Sequence, residues 1–329
     1  MEDAAGSVLL AGIEKPAITS QEKEFFQNAG IAGLTLFRRN IPPLFQDLKS
    51  LNESLQNQRP SGAPPLLIAV DQEGGRVRRL PDPFPDPGPP LHFNTPTPEW
   101  LHNQGFVCGA VLQGLGINVN FAPVVDVLAN TENEAIGDRV FAREAGIVAD
   151  RAGAWLRGLQ AGGVLGCLKH FPGQGDARAD THGGPATIDL SREKLEKREL
   201  LPFRLLLDRA PMVMIGHGIY PALDPQPASL SSVVMQDLLR GHLGFTGVVV
   251  SDDMNMGAIP QDDRQWLDAL EAGLMAGADL LLICRHMERC RLAWEHFQTR
   301  AGRSKAVKKR LEEAAGRVLS LRKKIGPPN

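Results

Sequence analysis

Chemically reactive side chains follow several apolar segments of this chain, each at the point where a buried strand would end. They are Asp71, Lys169, His170, His217, Asp252 and Asp253. Side chains that follow the parallel strands of a closed barrel meet at one rim, where they can act together on one bound molecule. His170 and His217 can line such a site or, alternatively, satisfy buried backbone groups.

The acidic pair Asp252 and Asp253 ends the segment GVVVSDD. A carboxylate at a barrel mouth can attack the anomeric carbon of a sugar and form a covalent intermediate, as in retaining glycoside hydrolysis. Because adjacent residues diverge at the end of a strand, the second catalytic group should come from another segment. We therefore predict Asp252 as a nucleophile and expect Asp253 to cap the following helix.

A Gly/Pro-rich segment, HFPGQGDARADTHGG, places Asp180 two residues before His182. An aspartate beside a histidine can accept the proton on Nδ1, fix the tautomer and strengthen the imidazole as a base. Since the pair follows Lys169 and His170 on one loop, we predict His182 as the acid/base and Asp180 as its partner. The alternative is that both are ordinary polar loop residues.

Hydrogen-bonding groups for a polar ligand come from three further segments. Asp71 opens DQEGGRVRRL, which also contains Arg79, and the segment IGDRVFA supplies Arg139. A carboxylate can accept from sugar hydroxyls, whereas the guanidinium groups and Lys169 can donate to hydroxyls or to an acyl oxygen. The alternative for each arginine is an ion pair with a surface acid.

Eight short apolar runs alternate with helical patterns along the chain. Continuous Val/Ile/Leu runs indicate strands that are buried on both faces and covered by helices. Eight repeats favour a closed parallel TIM (β/α)₈ barrel, so we predict one domain over residues 1–329. The runs span residues 7–13, 33–37, 66–70, 118–123, 163–168, 212–215, 247–251 and 279–283.

Local signals also predict where individual helices begin and end. Thr19 or Ser20 can cap a helix that ends at Gly30, and Pro98 opens another that closes at Gly116. Residues 71–98 are rich in Pro and Gly and are expected to form an irregular loop over the barrel mouth. The C-terminal stretch should be a helix whose basic residues form a solvated face.

Composition limits the classes of partner. The formal net charge of the 329 residues is -2, and 43% of them are hydrophobic. Near-neutral charge without a basic stripe argues against nucleic acid or an anionic membrane as a partner and favours a small ligand. The N-terminal residues lack an apolar segment long enough for a signal peptide or a membrane span, so we expect a cytoplasmic protein. No obligate protein partner is predicted.

Cofactor and metal motifs are missing from the sequence. There is no glycine-rich phosphate-binding loop and no dinucleotide fingerprint. The four cysteines lack metal-type spacing and lie in apolar segments, which indicates buried, reduced thiols. We therefore predict no cofactor and no metal. The cysteines are Cys108, Cys167, Cys284 and Cys290.

The motifs together resemble glycoside hydrolase family 3, in particular its single-domain β-N-acetylglucosaminidases. The resemblance rests on LTLFRRN, IAVDQEGGRVRRL, NFAPVVDV, IGDRVFA, LKHFPGQGDARADTHGG, IGHGIYPALD and GFTGVVVSDDMNMGAI, which occur in the family's order. It implies a nucleophile at Asp252 and an acid/base at His182 paired with Asp180. It also implies that the sugar-binding residues are Asp71, Arg79, Arg139, Lys169 and His170.

Members of this kind release N-acetylglucosamine from the non-reducing end of peptidoglycan fragments, which is the substrate that the resemblance implies. Two positions depart from the family pattern: Gln174 stands where histidine is usual, and Thr181 stands where serine commonly precedes the catalytic histidine. Three alternatives stay open at this point. They are a β-glucosidase, a glycoside phosphorylase on the same scaffold, and a non-catalytic sugar-binding protein.

Overall fold

The computed structural model of the protein describes residues 3–59, 61–177 and 184–326. The strands are β1 Leu9–Gly12, β2 Gly33–Leu36, β3 Leu67–Val70, β4 Val119–Asn120, β5 Leu165–Phe171, β6 Met212–Ile215, β7 Ile219–Tyr220, β8 Asp224–Pro227, β9 Val248–Asp253 and β10 Leu280–Ile283. Eight of them form a closed parallel barrel in the order β1-β10-β9-β6-β5-β4-β3-β2. Strands β7 and β8 form a separate antiparallel pair beside it.

Helices connect most of the barrel strands and cover the outside of the barrel. The α-helices are α1 Ser20–Ala29, α2 Phe45–Gln56, α3 Pro98–Gly114, α4 Ala145–Ala161, α5 Arg192–Lys194, α6 Leu200–Leu206, α7 Asp263–Ala276, α8 Met287–Arg303 and α9 Lys305–Arg322. A π-helical segment, Leu195–Glu199, joins α5 to α6, and a second one, Val233–His242, precedes β9. The alternation of strand and helix confirms the predicted TIM-type barrel.

All eight apolar runs form barrel strands, because both faces of each strand are buried. In β3, Leu67 and Ala69 belong to the cluster inside the barrel, whereas Ile68 and Val70 belong to the cluster beneath the helices. Each fully buried aliphatic side chain stabilises the fold by about 1.5–3 kcal/mol. Apolar residues therefore follow one another along each strand without alternating with polar ones, and the polar residues lie at the strand ends.

The predicted helix signals are confirmed at α1. Thr19 is the N-cap: its hydroxyl accepts from the backbone N–H of Glu22, whose carboxylate accepts from the backbone of Thr19. Such a reciprocal capping box satisfies two helix donors that would otherwise lack partners. Gly30 ends the helix with φ 59°, a left-handed conformation that favours glycine.

The C-terminal helix α9 forms as predicted, but the expectation that its basic residues form only a solvated face is wrong. Arg310 is 7% exposed and Arg322 is 1% exposed. Arg310 donates to Asp279 at 2.8 Å, and Arg322 donates to the carbonyl oxygens of Pro64 and Pro65 at 2.7 and 2.9 Å. These guanidinium groups satisfy buried acceptors at the end of the barrel where the strands begin.

Two further features bear on the predictions. Residues 71–97 contain only the short 3₁₀ helix Pro90–His92 and otherwise form an irregular loop at the C-terminal end of β3, as expected. Within the residues that the structure describes, no helix has the length and apolar composition that crossing a bilayer requires.

Candidate active site

A cavity of about 470 Å³ lies where the barrel strands end. Side chains from several different strand ends and loops line it, which is the usual arrangement for active sites in this type of barrel. The structure thus brings together six of the predicted site residues. They are Asp71, Arg79, Arg139, Lys169, His170 and Asp252.

One side of the cavity is a row of alternating charges. Lys169 lies at its centre, with Nζ 2.8 Å from Asp71 Oδ1 and 2.6 Å from Glu73 Oε1. Arg79 donates to the other oxygen of Asp71 at 3.0 Å. Arg139 makes a bidentate pair with Glu73 at 2.8 and 2.9 Å. We call these five residues the charged row; within it, three cations surround two carboxylates.

The ionic states of the charged row follow from these contacts. Burial alone would raise the pKa of Asp71, but the Lys169 ammonium and Arg79 guanidinium lower it well below its usual value. For Glu73, burial is likewise outweighed by Arg139 and Lys169, which lower the pKa of Glu73 to about 2. Burial would lower the pKa of Lys169, but the two carboxylates raise it. All three groups are therefore charged at neutral pH.

The Gly-Gly turn after Glu73 brings Arg79 back toward Asp71. Gly74 and Gly75 have φ values of 104° and 60°, which only glycine adopts readily. The amide oxygen of Gln72 then accepts from the backbone N–H of Arg79 at 2.9 Å and fixes the returning chain. The local sequence therefore determines that both ends of this loop reach the cavity.

His170 is oriented by a carboxylate that the sequence analysis did not assign a role. Asp126 is fully buried, and its Oδ2 lies 2.7 Å from Nδ1 of His170. A carboxylate only accepts, so Nδ1 carries the proton and Nε2 lies toward Arg139, 3.4 Å from its Nη2. Asp126 also accepts from the backbone N–H of Gln174 at 2.7 Å. It thereby ties the end of β5 to the loop that follows.

Asp252 lies at the C-terminal end of β9 and lines the cavity. Its Oδ1 accepts from the backbone N–H of Asp253 at 2.8 Å, which holds the side chain in place. Unlike Asp71 and Glu73, it makes no ion pair with any residue that the structure describes. Its carboxylate is thus held by the backbone while remaining free to react.

The prediction that Asp253 caps the next helix is wrong. Helix α7 begins ten residues after Asp253 and is capped by Asp262, whose side chain accepts from two backbone N–H groups of the first turn. Asp253 instead accepts from the backbone N–H groups of Asn255 and Cys284, at 3.0 and 3.2 Å. Burial raises the pKa of Asp253. Its role here is to connect the ends of β9 and β10.

His217 is not among the residues that line the cavity and contacts the backbone at the end of β9. It is fully buried, with Nε2 3.0 Å from the carbonyl oxygen of Asp253 and Nδ1 2.6 Å from the hydroxyl of Ser229. Because a carbonyl oxygen only accepts, Nε2 carries a proton. Of the two roles considered for this histidine, the structure supports the satisfaction of buried backbone groups.

Asp180, Thr181 and His182 lie outside the described residues, so their predicted roles stay predictions. Gln174, the other position that departs from the family pattern, is among the described residues. It is 6% exposed and lines the cavity. Its backbone carbonyl oxygen accepts from the side-chain amide of Asn133 at 2.7 Å. Nε2 of the Gln174 side chain is buried and has no hydrogen-bond partner among the residues that the structure describes.

Sequence reasoning missed Glu73 and Asp126. Glu73 follows Asp71 by two residues, a spacing that can place both side chains on the same side of an extended segment. Asp126 is the penultimate residue of the motif NFAPVVDV, six residues after the end of β4, on the side of the barrel where active-site residues gather. Among the described residues, no group of three His, Cys, Asp or Glu side chains is arranged to hold a metal ion.

A TIM-type barrel has the features of a glycoside hydrolase when one cavity holds an aspartate without an ion pair among the described residues, paired acids and cations, and a histidine. The model of the Glycosyl hydrolase family 3 N terminal domain matches residues 6–321. The chain therefore belongs to glycosyl hydrolase family 3.

Individual relatives support a finer grouping. A Beta-hexosaminidase from Nitrosomonas eutropha is 39% identical over 289 residues, covering 84% of this chain and 80% of that protein. One from Stenotrophomonas maltophilia is 35% identical over 292 residues, with 84% and 83% covered. Both are Beta-hexosaminidases, so the chain groups with the enzymes of that name in family 3.

Solved structures agree with this grouping. NagZ from Neisseria gonorrhoeae, in complex with N-trifluoroacetyl-D-glucosamine, is 30% identical with a TM-score of 0.79, and 96% of this chain and 98% of that one are covered. A family 3 β-N-acetylglucosaminidase from a Paenibacillus species is 33% identical with a TM-score of 0.91. This chain covers 62% of that longer one, although 98% of its own residues are matched.

Proposed function

We propose that the protein is a retaining exo-β-N-acetylglucosaminidase that acts through a covalent glycosyl-enzyme on Asp252. The single observation that carries the proposal is the position of Asp252, held by its backbone and free of ion pairs with the described residues, in the same cavity as the charged row. Membership of family 3 and the Beta-hexosaminidase relatives support the same interpretation.

The charged row and His170 are proposed to hold the terminal sugar. Asp71 is 15% exposed, so its carboxylate can accept from a sugar hydroxyl while it pairs with Lys169 and Arg79. His170 lines the same cavity, with Nε2 3.4 Å from Nη2 of Arg139, and the cations offer donors to hydroxyl and acyl oxygens. Such fixed donors and acceptors place the anomeric carbon within reach of Asp252.

The reaction then has two displacements. In the first, the Asp252 carboxylate attacks the anomeric carbon while His182, oriented by Asp180, protonates the leaving oxygen. In the second, His182 removes a proton from a water molecule, which attacks the same carbon and releases Asp252 as a carboxylate. One water is consumed, one glycosidic bond is broken, and the anomeric configuration is retained.

Peptidoglycan fragments that end in N-acetylglucosamine are the proposed substrates, with residues 1–329 acting as one catalytic domain in the cytoplasm. The relatives named Beta-hexosaminidase and the N-acetylated sugar analogue bound to the gonococcal protein support the choice of sugar. Cell fractionation and digestion of purified muropeptides would test the location and the natural leaving group.

The first test is hydrolysis of a chromogenic N-acetyl-β-glucosaminide beside the matching β-glucoside. The wild type should cleave the N-acetylated substrate and release the β-anomer first, as seen by NMR, while Asp252→Ala should lose nearly all turnover. Asp237→Ala, at an exposed position, serves as the control. Activity that survives Asp252→Ala would disprove the nucleophile. Preference for the glucoside, or faster turnover with added phosphate, would favour a β-glucosidase or a phosphorylase.

The acid/base role needs a separate test, in which the leaving group is varied. His182→Ala should slow the cleavage of substrates with poor leaving groups by about 10²–10⁴-fold, the usual contribution of general acid catalysis. Activated aryl glycosides, which need little protonation, should be affected far less in their first step. An equal loss on both kinds of substrate would count against His182 as the acid.

A further inference from the structure

We propose that Glu73 is the positioning residue of the sugar site: it aligns Arg139 and Lys169 for the bound sugar without touching the sugar itself. The inference rests on the proposed function, because it assigns those two cations to sugar binding. It adds a residue to which neither the motifs nor the comparisons give a role.

The first argument is that both oxygens of Glu73 are already occupied. Oε2 accepts from Nε of Arg139 at 2.8 Å, while Oε1 accepts from Nη2 of Arg139 at 2.9 Å and pairs with Lys169 at 2.6 Å. The Glu73 side chain is 2% exposed, whereas that of Asp71 is 15% exposed. Although Glu73 borders the cavity, its contacts with both cations and its low exposure favour a role through them, whereas Asp71 is the more accessible carboxylate of the row.

The second argument is a count of donors. Lys169 has three N–H bonds: one is donated to Asp71, and Glu73 contacts the ammonium as an ion pair at 2.6 Å. No third acceptor faces the ammonium among the residues that the structure describes, so at least one N–H is available to a ligand. A bidentate carboxylate also fixes the plane of the Arg139 guanidinium more firmly than a single acceptor does. Glu73 thus leaves each cation with a defined orientation.

The third argument is electrostatic. Without the charge of Glu73, the three cations would face Asp71 alone, and the buried Lys169 and the partly buried Arg139 would repel each other without an anion between them. Burial lowers the pKa of Lys169, and Asp71 and Glu73 together raise it above its usual value. Removing Glu73 should therefore let Lys169 lose its proton at a lower pH. Among the described residues, the ionisable groups that act most strongly on Lys169 are Asp71, Glu73 and Arg139, and Cys167 also lies close enough to feel its charge.

The test is the pH profile of the full-length variants Glu73→Gln and Glu73→Asp on the chromogenic N-acetyl-β-glucosaminide. Glu73→Gln should raise KM at least tenfold with a smaller change in kcat, and the alkaline limb of kcat/KM should move to lower pH. Glu73→Asp keeps the charge and should retain the wild-type limb with an intermediate KM. Glu132→Gln, at an exposed position, is the matched control. If Glu73 only stabilised the fold, its substitution would not shift the alkaline limb of the kcat/KM profile.

Binding of free N-acetylglucosamine, measured by calorimetry, separates this inference from the proposed function. Wild-type kinetics and an unshifted limb in Glu73→Gln would overturn the inference and leave the function intact. If the wild type binds the sugar in a Glu73-dependent way but cleaves nothing, the function fails and the positioning role stands. If it neither binds nor cleaves, both fail. If Glu73→Gln does not fold, the test uses Glu73→Asp instead. A KM of Glu73→Asp equal to that of the wild type would contradict the inference.

Discussion

Each end of the barrel holds a cluster of ion pairs, built on two carboxylates at one end and on Asp279 alone at the other, and the clusters differ in what they leave free. At the end where the strands stop, the charged row lines a cavity. At the end where they begin, Asp279 is fully buried and accepts from Arg240 at 2.6 Å, Arg310 at 2.8 Å and Arg317 at 3.0 Å. Its Oδ2 also accepts from the backbone N–H of Val249 at 3.0 Å.

The difference teaches that residue type alone does not mark a site. Asp71 follows a strand, is partly exposed to a cavity and can still accept from a ligand. Asp279 precedes β10, and its oxygens are taken by guanidinium groups and a backbone amide, so it anchors helices to the barrel. We therefore expect changes in the charged row to act on catalysis, and changes at the opposite end to act on stability.

Lys169→Met should have the largest effect, because it removes the centre of the charged row. Loss of one positioned hydrogen-bond donor in an active site costs about 10²–10³-fold in rate when the donor stabilises the transition state. Asp71 and Glu73 would also face each other without a cation between them, so we expect kcat/KM to fall by about 10³-fold. Steady-state kinetics give kcat/KM for Lys169→Met and for the control Lys308→Met, which changes an exposed lysine. A loss below tenfold would show that the row is not needed for turnover.

Asp279→Asn tests the opposite end. The substitution leaves three arginines without their carboxylate, so we expect a loss of about 3 kcal/mol in the free energy of unfolding. The kcat of the folded variant should be unchanged, because Asp279 lies at the other end of the strands. Urea unfolding and kinetics on the same sample give both numbers. A fall in kcat without a loss of stability would contradict the proposed division between the ends.

The third prediction concerns the charged row again and uses the pH dependence of the free energy of unfolding. The pKa of Glu73 is lowered from 4.5 to about 2 in the fold. A lowered pKa gives stability that is fully present above pH 4.5 and is lost as the pH falls toward 2. Wild type should therefore lose more stability than Glu73→Gln across this window in urea unfolding. Parallel curves would mean that Glu73 is not held ionised by Arg139 and Lys169.

Arg317→Gln should have the smallest effect. The Arg317 side chain is 37% exposed, and Asp279 keeps two other guanidinium partners when it is removed. An exposed ion pair contributes about 0–1 kcal/mol, so thermal unfolding should change little and activity not at all. A destabilisation as large as that of Asp279→Asn would show that the three arginines act as one unit.

Much of the fold follows from local patterns. The apolar runs predict eight strands because a barrel strand is buried on both faces, and Thr19 and Gly30 predict the ends of α1 because capping depends on neighbouring residues. The residues at the rim are predicted in the same way, since a polar residue directly after a buried strand lies at the end of the barrel rather than in its core. For this reason the sequence alone identifies Asp71, Lys169, His170 and Asp252 as residues of the rim.

The role of Asp253 shows where local reasoning stops. An acid shortly before a helical pattern is a reasonable cap, yet the loop between β9 and α7 is longer than the pattern indicates, and Asp262 takes that position. Asp253 instead accepts from the backbone of Cys284, 31 residues away. Only the pairing of β9 with β10 brings those groups together.

By itself, the sequence determined the barrel, its strands and the set of reactive residues at its mouth, because each depends on the burial or capping of nearby residues. Only the tertiary structure decided which charges pair. Glu73 meets Arg139 across 66 residues, and Asp126 meets His170 across 44. Closure of the barrel brings these segments together, and a charge that becomes fully buried then requires a partner.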